Sequence, residues 1–200
     1  MPKNEISRER DSIAANISFY ANYKDLPLVS TGCDSYASWD PRFKHLSPVL
    51  ATDSIADAIV DLLPNKEWHD EHLVITGGEP LLGWQRSYPA LLDHPKMTGL
   101  KELTFETNGT QDLTDDFFDY LHNDCQVSEI TFSVSPKLSV SGEKWEDAIK
   151  PDVVCDYALL GYTYLKFVVT GDQDKEEIQD AVAAYRKAGF RGPVYLMPVD

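Results

Sequence analysis

The chain has 200 residues, of which 42% are hydrophobic, so it can form a folded domain with a core and is not a disordered protein. Its net charge of −15 argues against sequence-independent binding of DNA or RNA, and no apolar run of about 18 residues indicates a membrane span. The polar first twenty residues show no signal peptide, so we expect a cytoplasmic protein.

The first part of the chain shows little periodicity. Residues 1–30 have no clear hydrophobic period before Ile17 and are predicted to be irregular. Residues 30–43 are rich in turn-forming and aromatic residues, which is typical of a loop. A loop with cysteine, aspartate and serine is often functional, but an ordinary surface loop with a small buried cysteine explains the same pattern.

Strand and helix patterns alternate from residue 52 onward. Helices are predicted at residues 52–63, 82–93, 114–121, 145–159 with a break at the proline at 151, and 174–188. Strands are predicted at residues 72–76, 103–107, 129–134, 164–169 and 194–198. Short connections between them imply right-handed crossovers and a parallel sheet, either open or closed into a full or partial barrel. In each case ligands bind at the carboxyl ends of the strands.

Polar residues and glycines follow every predicted strand. After the first strand come two glycines and Glu79, where a ligand can approach the backbone and a carboxylate can hold an ammonium group. At the end of the third strand, Ser133, Ser135 and Lys137 could bind a carboxylate and sugar hydroxyls. Each residue taken singly could instead be a local cap or a solvated loop residue, but together they favour a site for a polar cofactor with an amino acid head and a ribose.

Several common sites are absent from the sequence. It has no Walker GxxxxGK[ST], no GxGxxG after a first strand, no GxSxG and no HExxH. The five histidines show no metal-ligand spacing. The three cysteines form an odd and scattered set, which disfavours a disulfide framework and a zinc site of paired CxxC motifs.

Four stretches of the sequence resemble one enzyme family. Residues 76–82, 105–110, 133–137 and 165–169 read TGGEPLL, FETNGT, SVSPK and LKFVV. The first resembles the GGEP motif of radical S-adenosylmethionine enzymes. The four together, in order, resemble the 7-carboxy-7-deazaguanine synthases of that superfamily, which act in the 7-deazapurine (queuosine and archaeosine) pathway. The resemblance covers about residues 31–200 and implies an α/β fold: a partial (β/α) barrel with parallel strands.

The resemblance also implies an activity. The family's lyase-type reaction converts 6-carboxy-5,6,7,8-tetrahydropterin to 7-carboxy-7-deazaguanine with ring contraction and loss of ammonia. A [4Fe-4S] cluster would split S-adenosylmethionine to a 5′-deoxyadenosyl radical, Mg²⁺ would assist, and flavodoxin or ferredoxin would donate the electron. A homodimer is possible, and neither a nucleic acid nor a membrane is an expected partner.

Residue roles follow from the resemblance by position. The residues implied to bind S-adenosylmethionine are Gly78, Glu79, Ser133, Ser135 and Lys137. The pterin substrate would contact Thr76. Cys33 would be a cluster ligand, and Ser35, two residues later, would be the magnesium ligand.

The cysteines depart from the family pattern. The family uses three cluster cysteines, most often as CxxxCxxC, but Ala37 and Asp40 stand at that spacing after Cys33 and no cysteine precedes it. The remaining cysteines, Cys125 and Cys155, are predicted on or after helices, away from the strand ends.

These departures suggest an incomplete chain. Residues 1–32 are interpreted as part of an insertion in the cluster loop, residues 33–200 as the barrel domain, and the first strand and two cysteines as missing upstream. We therefore expect the chain as given to be inactive alone. The alternatives are a remnant without a cluster that binds a nucleoside or a partner, and an unrelated α/β protein that matches the motifs by chance.

Overall fold

The structure is a computed structural model that describes residues 3–22, 25–27, 36–46 and 48–198. The chain divides into two compact units, Met1–Leu50 and Ala51–Asp200. No helix in the described part of the chain is long and apolar enough to cross a membrane.

The smaller unit is helical where the sequence predicts irregular structure. Helix α1 spans Lys3–Ala15, helix α2 spans Tyr36–Trp39, and a 3-10 helix spans Pro41–Leu46. The prediction of an irregular start is therefore wrong for α1, because this polar helix buries Ile13 but lacks a full apolar stripe. The predicted loop at 30–43 is likewise partly helical, and its residues 30–35 lie outside the described part.

Asp40 joins the elements of the smaller unit. Its buried carboxylate accepts three hydrogen bonds from the Arg42 guanidinium, at 2.6, 3.0 and 3.2 Å, and Arg10 of α1 lies 3.3 Å away. Arg42 also pairs with Asp11 of α1 at 2.8 Å. The hydrogen bonds from Arg42 lower the pKa of Asp40, and burial opposes this shift. Two arginines around one carboxylate thus connect α1 to the segment after α2.

The larger unit contains a five-stranded sheet and six α-helices within the described residues. The strands are β1 (His72–Ile75), β2 (Glu102–Thr107), β3 (Glu129–Val134), β4 (Tyr162–Val169) and β5 (Val194–Pro198). The helices are α3 (Thr52–Leu62), α4 (Tyr88–Leu92), α5 (Asp115–Asp119), α6 (Trp145–Ala148), α7 (Pro151–Leu160) and α8 (Asp174–Ala188). Neighbouring strands are all parallel, in the order β1-β2-β3-β4-β5. The sheet is not closed, which agrees with the expected partial (β/α) barrel.

The strands and most helices confirm the sequence predictions. Pro151 separates α6 from α7 as expected, and the Thr114 hydroxyl caps α5 by accepting a hydrogen bond from Phe117 N. The helix predicted at 82–93 is wrong, because α4 is only five residues long. Gly83 has a φ of +78°, which ends regular helix geometry, and α4 begins only at Tyr88, with a proline in its first turn.

Side chains alternate between two faces of the sheet. On one face, Phe132 of β3 is fully buried and stacks on Phe105 of β2 at 5.6 Å and on Tyr157 of α7 at 4.7 Å between ring centroids. This face packs against the helices and forms the main core. The other face, called the open face below, carries polar and aromatic residues: His72, Thr104, Glu106, Thr131, Ser133, Tyr164, Lys166 and Tyr195.

Replacing Phe132 by alanine should lower the free energy of unfolding by about 3–5 kcal/mol, because it removes buried surface and leaves a cavity between two rings. Phe132→Leu should lose less and stay folded. Denaturant unfolding followed by circular dichroism measures both. The control is Phe118→Ala, a half-buried phenylalanine of α5. An equal loss in Phe132→Leu and Phe118→Ala would contradict the assigned core.

Candidate functional site

The carboxyl ends of the five strands form one rim, as the sequence predicts. Because the strands are parallel and adjacent, the segments that follow them lie at the same edge of the sheet. Glu79 contacts Thr107 and Asn108, and Ser135 N donates a 2.8 Å hydrogen bond to Thr107 O. The segments after β1, β2 and β3 are therefore in direct contact.

The carboxylate of Glu79 connects two of these segments. Its Oε1 accepts hydrogen bonds from Thr107 Oγ1 at 2.7 Å and Leu81 N at 3.2 Å, and its Oε2 accepts one from Asn108 N at 2.8 Å. Three donors of the protein thus satisfy this half-buried carboxylate. Its geometry fits a structural role in the rim at least as well as a direct role in holding an ammonium group.

The two glycines before Glu79 are exposed. Gly77 has a φ of +130°, and a Cβ added there would find no atom within 4 Å. Because both glycines are exposed among the described residues, a ligand can approach their backbone amides and carbonyls. Thr76, the predicted pterin contact, is exposed beside them.

Gln85 also connects the segment after β1 with the segment after β2. Its buried side chain donates to Leu81 O and Asp112 O, both at 2.9 Å, and accepts from Thr114 N at 2.8 Å. Both N–H groups and the carbonyl oxygen of its side chain are hydrogen-bonded to the two loops, so Gln85 fixes the distance between them. Sequence reasoning missed Gln85, because a single glutamine in a turn gives no signal of burial.

Two buried tyrosines lie close enough to the Glu79 carboxylate to feel its charge. The Tyr88 hydroxyl donates to Pro80 O and the Tyr157 hydroxyl donates to Gln111 O. Burial, and then the negative charge of Glu79, raise the pKa of Tyr88 to about 12, and the same two causes raise the pKa of Tyr157. Both tyrosines therefore stay neutral at physiological pH and act as hydrogen-bond donors.

The serines and the lysine at the end of β3 differ from Glu79 in their hydrogen bonds and ion pairs. Ser133 is 1% exposed, and its hydroxyl oxygen has no hydrogen-bond partner within the described residues. Ser135 is half-buried, and Lys137 is exposed and has no ion pair with another described residue. A buried hydroxyl without a partner costs free energy, so Ser133 is the predicted site residue that most strongly indicates a missing ligand.

Thr170, after β4, has a local explanation. Its backbone N and its hydroxyl both donate to Asp174 Oδ2, at 2.7 and 2.8 Å. These hydrogen bonds lower the pKa of the buried Asp174 at the start of α8. The end of β4 is thus hydrogen-bonded to the first residue of α8.

The predicted metal ligands Cys33 and Ser35 lie outside the described residues, so their roles stay predictions. Cys125 follows the helix that precedes β3, and the Cys155 thiol of α7 contacts Ala188 O, ahead of β5, at 3.7 Å. Both cysteines thus lie toward the amino ends of the strands, opposite the rim. Burial raises the pKa of each thiol, which disfavours the thiolate. The described ranges contain no group of three residues that could hold a metal ion.

Sequence reasoning also passed over an ion pair on the open face. Lys166 Nζ of β4 lies 3.4 Å from Glu106 Oε1 of β2. The signal was present, because both charged residues interrupt apolar strands at open-face positions. His72, on β1, shares a hydrogen bond of 2.8 Å with the Thr104 hydroxyl on the same face.

Two curated proteins named 7-carboxy-7-deazaguanine synthase are similar to this chain. The protein from Halobacterium salinarum is 36% identical over 172 residues, which cover 78% of this chain and 58% of the relative. The protein from Pyrobaculum aerophilum is 30% identical over 179 residues, which cover 86% of this chain and 66% of the relative. The chain thus spans less than two thirds of the relatives' lengths. No family model and no solved structure matches it.

Alanine at Glu79 should destabilise the protein by about 1–3 kcal/mol even without ligand, because three hydrogen-bond donors lose their acceptor. Thermal unfolding measures the loss, and Glu129→Ala, on an exposed position of β3, is the control. If Glu79→Ala unfolded like the parent protein, the proposed connection between the two loops would be wrong.

Stability should fall at alkaline pH because of Tyr88. The unfolded tyrosine releases its proton near pH 10, whereas the folded one keeps it until about pH 12. Stability from this group is therefore complete below pH 10 and is lost as pH rises to 12. Tyr88→Phe should unfold more easily at pH 7 but lose less stability between pH 10 and 12. Urea titrations at several pH values test this, with Tyr20→Phe in the smaller unit as control; an unchanged slope in Tyr88→Phe would refute it.

Proposed function

Because the chain belongs to the 7-carboxy-7-deazaguanine synthase family, we propose that it converts 6-carboxy-5,6,7,8-tetrahydropterin to 7-carboxy-7-deazaguanine in 7-deazapurine biosynthesis. The reaction would use radical S-adenosylmethionine chemistry. The family match supports the activity. Within the structure, the observation that carries the proposal is the buried, unpartnered hydroxyl of Ser133 at the ligand-binding edge of a parallel sheet.

The hydrogen-bond donors and acceptors of the rim match the polar groups of S-adenosylmethionine. The exposed backbone of Gly77 and Gly78 offers carbonyl acceptors for an ammonium group. The hydroxyls of Ser133 and Ser135 and the free ammonium of Lys137 offer donors for a carboxylate and for ribose oxygens. The role we propose for Glu79 is to hold the glycine turn against the segment after β2, in addition to any contact with the methionyl group.

The hydrogen bonds within the rim would preorganise it for ligand binding. Glu79, Gln85 and Tyr88 fix the turn before any ligand arrives, so that binding costs less conformational entropy. Thr76, at the start of the turn, is free to contact the pterin. Both ligands would thus lie over the carboxyl ends of β1, β2 and β3.

A [4Fe-4S] cluster, when bound, supplies the electron that cleaves S-adenosylmethionine. We propose Cys33 as one cluster ligand and Ser35 as a ligand of Mg²⁺. A small electron donor such as flavodoxin or ferredoxin would reduce the cluster. These assignments rest on the family resemblance, and the described residues supply the rim for the organic ligands.

Ser133→Ala should weaken binding of S-adenosylmethionine by about 2- to 10-fold, the effect of one lost neutral hydrogen bond. Calorimetry on the protein, reconstituted anaerobically with iron and sulfide, measures the affinity. Ser87→Ala, at an exposed position after β1, is the control.

The activity itself is tested by incubating the reduced protein with S-adenosylmethionine and 6-carboxytetrahydropterin. We expect 5′-deoxyadenosine and 7-carboxy-7-deazaguanine to form only where three cysteines are available to hold the cluster, so residues 1–200 alone, in which Cys33 is the one cysteine that matches the cluster motif, should form neither product. Cofactor binding without iron, and without either product, would instead support a remnant that binds a nucleoside but does not catalyse.

A further inference from the structure

The segment that follows β3 is fixed at both of its ends. At its first end, Ser135 N donates a 2.8 Å hydrogen bond to Thr107 O, at the end of β2. At its second end, Ser139 N donates to Glu177 Oε1 at 2.8 Å, and Ser139 Oγ donates to Glu177 Oε2 at 2.7 Å. Only residues 136–138 separate the two ends, so the backbone between them has little freedom to move.

Lys137 is the middle residue of this short span. Pro136 and Leu138 on either side of it are buried, whereas Lys137 is exposed. The proline ring fixes one backbone angle, and the two buried side chains hold the chain against the core. The ammonium of Lys137 therefore extends from a fixed backbone, and only its own side chain is left to move.

Glu177 belongs to a helix that is anchored in the core. It lies in the first turn of α8, where the helix dipole favours a carboxylate. The neighbouring Ile178, and Ala181 and Tyr185 further along the helix, are buried in the main core. Because α8 is held in this way, the hydrogen bonds of Glu177 give the segment after β3 a fixed position.

Glu177 also completes a series of connections along the rim. Glu79 connects the segments after β1 and β2, and Ser135 connects the segments after β2 and β3. Glu177 connects the segment after β3 to the start of α8, where Asp174 holds Thr170 at the end of β4. From β1 to β4, each segment of the rim is thus hydrogen-bonded to the next.

The two hydrogen bonds of Glu177 contribute little to the stability of the whole fold. Ser139 is exposed and Glu177 is half-buried, so water replaces both bonds at a small net cost when they break. Their local effect is larger, because without them the span that carries Lys137 is hydrogen-bonded to the rim at one end only. A loss of ligand binding without a loss of stability is therefore the expected sign of this contact.

We propose that Glu177 is a positioning residue for the cofactor site. By holding the amide and the hydroxyl of Ser139, it fixes the backbone of Ser135 and Lys137, which offer donors to the carboxylate and the ribose of the ligand. Glu177 does not contact the ligand in this proposal and acts through Lys137. The proposal rests on the proposed function, because it takes S-adenosylmethionine as the ligand.

The test measures S-adenosylmethionine binding by calorimetry on the protein reconstituted anaerobically with iron and sulfide. Glu177→Ala should weaken binding by about 3- to 10-fold, because Lys137 is no longer held in place. Glu177→Gln should recover most of the affinity, since its carboxamide can accept from Ser139 N and donate to Ser139 Oγ. Both variants should change the midpoint of thermal unfolding by about 3 °C or less. The control is Glu176→Ala, at an exposed position of the same helical turn, which should bind like the parent protein.

A double-mutant cycle shows whether Glu177 acts through Lys137. Lys137→Met alone should weaken binding, and adding Glu177→Ala to it should cost about twofold or less, because the group to be positioned is already gone. Hydrogen exchange of residues 139–142, followed by mass spectrometry without ligand, should be faster in Glu177→Ala than in Glu176→Ala.

Four results would overturn the inference: equal affinity of Glu177→Ala and the parent protein, additive losses in the cycle, unchanged hydrogen exchange, or a loss of binding that follows a loss of thermal stability. If the parent protein binds S-adenosylmethionine while any of these occurs, the proposed function stands and only this inference fails. If the parent protein does not bind S-adenosylmethionine, the proposed function fails and this inference fails with it.

Discussion

The rim depends on one carboxylate. Glu79 accepts hydrogen bonds from its own turn and from the segment after the neighbouring strand, so it fixes the position of the glycines before it. Without this acceptor, Asn108 N and Thr107 Oγ1 would lose a charged partner at the edge of the core. Gln85 connects the same two segments a second time, through Asp112 O and Thr114 N. The backbone of the glycine turn is thereby held open to solvent yet fixed in place.

The sheet separates stability from chemistry by its two faces. Phe105, Phe132 and Tyr157 form a stacked core on the helix side, which needs only apolar residues at alternate positions. The open face can then carry residues such as Glu106 and Lys166, which contribute little to folding. A lysine in a central strand is costly unless it is paired, and the contact of Lys166 with Glu106 meets this requirement.

The sequence predicts the sheet well because each strand is a short apolar run with a clear end. It predicts the polar residues of the rim for the same reason, since parallel strands bring their ends together. It does not predict contacts between segments distant in the chain, such as Glu79 with Asn108 or Gln85 with Thr114. Local periodicity also gives two wrong predictions of helices. It misses α1, which is too polar to show an apolar stripe, and it predicts a helix at 82–93 although the pattern there continues through Gly83, which has a positive φ.

The hydrogen bonds of the rim distinguish residues that serve the fold from residues that face a ligand. Glu79 and Thr170 are both polar residues that follow strands, and both form their hydrogen bonds with other residues of the protein. Ser133 is buried more deeply than either and has none. Because burial without a partner is unfavourable, the hydroxyl of Ser133 is the group of the rim that is left to bind a ligand or an ordered water.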